Sequence, residues 1–282
     1  HKDAYQLAHP VTAISDDGSA VTPRILEQVF ENVKESGLYL IEHCEHHDTG
    51  AVNDGPVSRK LGVPGIPEDT ELKIVERDID MSRKTGVHVH FQHVSTAISF
   101  DAIRKAKAEG LPITCETAPH YIALNDEALL KYGTLAKMNP PLRSEADRQA
   151  TIAAVADGTV DLLATDHAPH TMEEKELGFL DAPNGVIGLE CACHKVLVDG
   201  GFISDERLIE LMSTGPAELM GHDKTDITAV LDDYADAVPG DDDTKRVLDL
   251  GRVPESDQVD LVVLNTGEEW TVDPEKFHSS AR

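Results

Sequence analysis

Short apolar runs rich in β-branched residues recur along most of the chain, and each is followed by a stretch with helical spacing. VTAIS (11–15) leads into a helical pattern over 23–35, and LYLIEHC (38–44) into a loop and a helix over 68–84. VHVHFQH (87–93) precedes a helix near 99–107, LPITCE (111–116) a short helix from Asn125, and TLAKMN (134–139) a helix over 145–156. VDLLATD (160–166) is followed by helices from Val186 onward. Strands alternating with helices predict parallel βαβ units, and strands this short and continuously apolar are the kind buried on both faces.

Polar, chemically capable residues stand repeatedly at the C-terminal ends of these runs: Asp16 and Asp17, His43, His93, Asn139 and Asp166. A (β/α)8 barrel of the TIM type builds its active site there, because its βα loops converge on that end. An open doubly wound sheet would gather such residues at one switch point and would normally carry a glycine-rich phosphate loop, which this sequence lacks. From about Gly221 the texture changes. The predicted organisation is a (β/α) barrel over 1–221, an acidic exposed insertion over 222–258, and strands outside the barrel over 259–282.

The chain has 282 residues, 40% of them hydrophobic, enough for a sizeable core. Its 25 basic and 52 acidic residues give a net charge of -27, which repels phosphate backbones and anionic membrane surfaces and argues against nucleic-acid and membrane partners. The absence of a membrane-length apolar run and of a signal pattern at HKDAYQLAHP predicts a cytoplasmic protein. Four cysteines are too few for a disulfide framework; Cys191 and Cys193 read as buried thiols of an apolar helix rather than metal ligands.

GVHVHFQHVS (86–95) concentrates three histidines. Residues two apart in a strand share a face, so His88 and His90 cannot both sit beside His93 unless the strand bulges; parity groups His93 with Val87, Val89 and Phe91. His93, at the strand's end, is the expected metal ligand. His88 is expected to pack between strand and helix with a satisfied ring nitrogen, and His90 either supports the site or is a core histidine. One histidine does not hold an ion, so partners must come from other strand ends: His43 in LIEHCEH, with His46 and His47 solvated beyond it; Asp166 in LLATDHAPHT; and Asp16 or Asp17 in SDDG. Nitrogen and carboxylate ligands of this kind suit zinc or a similar divalent ion.

At these residues the chain resembles a family. SDDG (15–18), HCEH (43–46), HVST (93–96), MNPPLR (138–143), ATDHAPHT (164–171) and APNGVIGLE (182–190) follow the ordered motifs of the type I dihydroorotases, in the amidohydrolase superfamily. The resemblance implies a TIM-type barrel with a small β-sandwich, one or two zinc ions, and interconversion of dihydroorotate and N-carbamoyl-aspartate in pyrimidine biosynthesis. It implies that His43, His93, Asp16 and Asp166 bind metal, with Asp166 also the general base. It further implies that Asn139 and His170 contact the substrate, that the loop at Pro183 and Gly185 closes over the ring, and that Arg143 has a supporting role. Aspartate transcarbamoylase, or a second copy of the chain, is the partner it suggests.

The Asp-x-His-x-His-x-Arg strand of that family, which gives two ligands and a substrate-binding arginine, has no match in this sequence. His88-Val89-His90 imitates its spacing but belongs to the strand ending in His93. The barrel is therefore expected to be incomplete at its N-terminus, with SDDG on the fourth strand, and this chain alone is expected not to turn over. Two rival readings are an allantoinase- or hydantoinase-type hydrolase, in which a lysine generally replaces Asp16, and a non-catalytic dihydroorotase-like subunit that scaffolds aspartate transcarbamoylase.

Overall fold

A computed structural model describes residues 11–16, 18–45, 50–189 and 196–221. Five strands form one parallel sheet: β1 (Ala13–Ser15), β2 (Tyr39–His43), β5 (Val89–Gln92), β6 (Ile113–Thr117) and β7 (Leu162–Leu163), adjacent in that order. Each follows its neighbour in sequence through at least one helix, so every connection is a βα crossover. A separate parallel pair, β3 (Val52–Asn53) and β4 (Gly65–Ile66), flanks α2 (Pro56–Leu61) in the loop after β2. The insertion and sandwich strands expected over 222–282, together with His46, His47, Cys191 and Cys193, lie outside the described residues.

The helices begin and end where local chemistry requires. In α3 (Asp69–Thr85), Asp69 and Glu71 occupy the first turn, Arg83 and Lys84 the last, and Gly86 closes the helix at φ 75°, a conformation that glycine adopts without cost. The Thr96 side chain caps α4 (Ala97–Ala108) by accepting from Ser99 N–H, and Ser144 caps α7 (Glu145–Ala156) through Asp147 N–H. Their apolar faces meet one side of the sheet: Leu40, Val89, Phe91, Ile113 and Cys115 pack with Phe30 and Val33 of α1 (Leu26–Ser36), Ile79 of α3, and Phe100 and Ile103 of α4. Phe91 is fully buried, worth about 1.5–3 kcal/mol in transfer free energy.

The other side of the sheet is polar. In register β2 aligns Ile41 with His90 and His43 with Gln92, and β6 aligns Thr114 with His90. His88 thus lies on this open side and not between strand and helix: its ring stacks on Tyr39 at 5.1 Å, and its Nε2 shares the Thr114 hydroxyl with His90 Nδ1, each at 2.8 Å. The ring nitrogen is satisfied, as expected, but by a neighbouring strand. His90 Nε2 turns to Glu116 at 3.1 Å.

The strand expected over 134–139 does not form. Gly133–Ala136 is a 3-10 turn, and β6 pairs directly with β7, so no place in the sheet is left for this segment. Val186 begins no helix; it bridges in parallel to His167, and the 182–188 segment runs as a strap along the loop after β7.

One buried charge on the helix side yields a stability prediction. Glu42, fully buried on β2, accepts from Val21 N–H at 2.8 Å and from Arg77 Nη2 at 2.5 Å. Burial, and then the charges of Asp78 and Asp16, push its carboxyl up to about 8 against the opposing Val21 and Arg77 interactions. A carboxyl raised above its unfolded value near 4.5 stabilises the fold fully below that pH and loses the contribution as pH climbs to about 8. Glu42→Gln, which spares the buried anion, therefore gains about 1–3 kcal/mol relative to wild type between pH 5 and pH 9. Denaturant melts at the two pH values check this; a pH-independent difference refutes it.

Candidate functional site

At the C-terminal edge of the sheet, the segments after β1, β2, β5, β6 and β7 border a cavity of about 180 Å³, lined by Gly18, His43, Glu45, His93, Met138, Asn139, Asp166, Ala168, Asn184 and Gly185. Four of the sequence-predicted residues (His43, His93, Asn139 and Asp166) and the predicted strap glycine thus meet in one place. The lining carries two carboxylates, two histidines and neither lysine nor arginine, a charge balance that favours a cation.

His43 ends β2. The Asp16 carboxylate holds it twice, Oδ1 on the ring Nδ1 at 2.5 Å and Oδ2 on the backbone N–H at 2.6 Å. Gly18 N–H and the Gln92 amide also reach Nδ1, at 3.3 and 3.0 Å, but the short carboxylate contact places the proton on Nδ1 and leaves Nε2 as the lone-pair nitrogen. Burial alone would lower the ring's pKa; the hydrogen bond and charge of Asp16, with Glu45 and Asp166, outweigh it and the net shift is upward. Asp16 therefore sits as the partner that orients His43, with both oxygens engaged by that residue.

His93 follows β5 at φ 33° and Asp166 follows β7 at φ 47°. These are the described non-glycine residues in left-handed backbone, which costs each about 1–3 kcal/mol. The turn at His93 overrides strand parity. It carries the ring away from Val89 and Phe91 to the open side, 5.0 Å from the His43 ring. A buried clamp secures the turn: Glu71 of α3 accepts from Ser95 N–H at 3.1 Å and Oγ at 2.5 Å, and from Thr96 N–H at 3.0 Å and Oγ1 at 2.7 Å. Arg143 donates to Ser95 Oγ at 3.0 Å behind it, the supporting place expected of it.

His93 Nδ1 is buried without a hydrogen-bond partner, and among the described residues Asp166 makes no hydrogen bond or ion pair. Unpaired polar groups of this kind in a concave site are held ready for something else. Beside His93, His120 is buried with both ring nitrogens unpaired; burial and then the nearby His93 depress it to about 3, so it is neutral. Among the described residues no three His, Cys, Asp or Glu side chains already converge as a coordination shell. The donor chemistry of His43, His93 and Asp166, two imidazoles and a free carboxylate around one cavity, nonetheless fits a divalent cation.

Asn139 lines the cavity with its amide donated to Glu45. Gly185, at φ 140°, lies so close to the loop after β7 that a Cβ there would meet Ala168 O at 2.4 Å and His170 Cδ2 at 3.1 Å. His170 thus stands beside the strap, its Nδ1 3.5 Å from Glu174, and is not among the residues that line the cavity. Pro183 is not among the lining residues either, and its carbonyl accepts from Lys175 Nζ at 3.0 Å. Glu45 and Asn184 were not singled out from the sequence; Glu45 sits inside the HCEH motif, and its position after an apolar strand was the available signal.

No family model matches the chain. It is 45% identical over 214 residues to the dihydroorotase of Desulfotalea psychrophila, covering 74% of this chain and 51% of that protein. Against the dihydroorotase of Acetivibrio thermocellus it is 38% identical over 277 residues, covering 96% and 59%. Among solved structures, the L-hydantoinase of Arthrobacter aurescens superposes with a TM-score of 0.62 at 26% identity, covering 74% of this chain and 50% of that one. The dihydropyrimidinase of Brevibacillus agri gives 0.65 at 22% identity over 75% and 50%, a likeness of fold alone. The described part has the parallel α/β architecture of these barrel hydrolases. The chain spans about half to three-fifths of the length of the curated relatives it matches.

Proposed function

We propose that this chain, which belongs to the dihydroorotase family, acts as a zinc-dependent cyclic amide hydrolase of the cytoplasm that interconverts dihydroorotate and N-carbamoyl-aspartate. The observation that carries the reading is the unpaired Asp166 carboxylate in the same cavity as His43 and the orphaned His93 nitrogen, on backbone strained to put them there. His43 and His93 would hold the ion through ring nitrogens, His43 oriented by Asp16, and Asp166 would complete the donor set. A bound divalent ion supplies an acidified water and a polarised carbonyl.

The chain's own residues do the rest. Asp166 accepts the proton of the attacking water and returns it to the ring nitrogen that leaves as the cyclic amide opens. Asn139, fixed by Glu45, offers its amide to the ring, and the strap at 183–185, with His170 beside it, covers the ring's other face. The cavity lining offers an anionic substrate no cationic side chain. The substrate carboxylate is left to the arginine of the Asp-x-His-x-His-x-Arg strand, which this sequence does not contain.

The test is zinc-dependent ring opening of dihydroorotate, followed for residues 1–282 alone and for the same residues preceded by that strand segment from a relative. Turnover is expected in the extended form and not in the shorter one. Zinc-dependent turnover of hydantoin in preference to dihydroorotate, or of neither, overturns the proposal; full turnover by residues 1–282 shows that the arginine strand is dispensable.

A further inference from the structure

One wall of the cavity is built from two segments that have no regular structure in common, 134–139 and the strap 182–185. The first brings Met138 and Asn139 to the lining, the second Asn184 and Gly185. Two lysines join them. Lys175, at the end of the short helix Met172–Lys175, is buried and donates Nζ to three main-chain carbonyls: Thr134 at 3.3 Å, Lys137 at 3.2 Å and Pro183 at 3.0 Å. Lys137 Nζ donates to Ala182 O at 2.5 Å, and the Lys137 carbonyl also accepts from Gly185 N–H at 3.0 Å. Thr134 Oγ1 closes the ring of bonds by donating to Lys175 O.

Among the described residues no carboxylate pairs with Lys175. A buried ammonium satisfied only by peptide carbonyls is expensive to keep. The geometry explains what it is kept for: its three donors are spent on three points of the two segments that form the wall. We propose that Lys175 is a positioning residue of this site, whose ammonium sets the spacing between Asn139 and the strap and so the width of the cleft that receives the ring. This rests on the cyclic amide reading for the identity of the ring, but not for the clamp itself.

The charged groups around the clamp are Lys137, with Asp181 near it, and Glu174, which is tied to Thr171. Burial and then the charge of Lys137 bring Lys175 down to about 8. As pH rises through that value the ammonium loses a proton and one of its three donors. In this case the strap loosens on the alkaline side.

Hydrogen–deuterium exchange of the zinc-treated 282-residue protein, read by peptide, is the test. In Lys175→Met, exchange across 182–188 is expected to speed up at least about tenfold while α4 and α7 stay as protected as in wild type, and Lys175→Arg should restore part of the protection. If Lys175→Met fails to fold, the wild-type protein decides: protection of 182–188, corrected for intrinsic exchange, should fall between pH 7 and pH 9 while that of α4 does not. Unchanged strap exchange in the variant, or a strap protection that ignores pH, overturns the proposal. Calorimetric titration with dihydroorotate of the form extended by the arginine strand separates the two readings. A weaker fit in its Lys175→Met variant supports both. A loosened strap in residues 1–282, together with an extended form that does not bind dihydroorotate, keeps the clamp and removes the cyclic amide assignment.

Discussion

In the His93→Ala protein, zinc retained after dialysis falls by more than about tenfold, and His43→Ala does the same, while His88→Ala stays within about twofold of wild type. The three imidazoles are neighbours in sequence or across the sheet, yet they differ in what their nitrogens are already doing. His88 Nε2 is spent on the Thr114 hydroxyl and its ring on Tyr39. His93 Nδ1 is buried with nothing to bind, and His43 keeps Nε2 free because Asp16 occupies Nδ1. A site with so few protein donors cannot lose one without a large loss of affinity. Metal analysis of the purified variants reads the result directly. Equal losses for His88 and His93 would show that the Thr114-bound His88 is a ligand too and that the ion is not held at the strand ends alone.

Asp166→Asn keeps the fold and lowers kcat/KM for dihydroorotate by about 10²–10⁴ in the form of the protein that turns over. Stability should be spared for two reasons. Among the described residues Asp166 has no hydrogen-bond or ion-pair partner to lose, and asparagine tolerates the left-handed backbone at φ 47° as well as aspartate does. Chemistry should not be spared, because an amide can weakly ligate but cannot take a proton from the attacking water. Melting temperature and steady-state kinetics on the same preparation separate the two effects. A variant with near-normal turnover and normal stability would remove Asp166 from the role of base.

The site was legible from sequence as far as its ingredients go. An apolar run that stops at a histidine or a carboxylate marks the C-terminal end of a buried parallel strand, which is why His43, His93 and Asp166 could be picked out and are found lining one cavity. Asn139 was picked out for the wrong local reason: the segment before it is a 3-10 turn and not a strand, since a run of mixed apolar residues does not reveal whether the sheet has room for it. Of the residues expected at the substrate, Gly185 reaches the cavity lining, His170 stands beside the strap, and Pro183 is part of the strap, its carbonyl held by Lys175.

By itself the sequence marked the five strands of the parallel sheet and the residues that end them, because each depends on a periodicity spanning a few neighbours. Tertiary structure alone decided which way those residues face and what they touch. Strand parity sends His93 toward Val89 and Phe91, and one residue at φ 33° reverses it, because alternation survives only as long as every residue keeps an extended backbone. The partners that tune the site are equally remote: Asp16 reaches His43 across 27 residues, Glu71 reaches Ser95 across 24, and Lys175 reaches Thr134 across 41. A buried carboxylate or ammonium is satisfied by whatever the packed fold brings within hydrogen-bond distance, and no local pattern in the chain encodes that meeting.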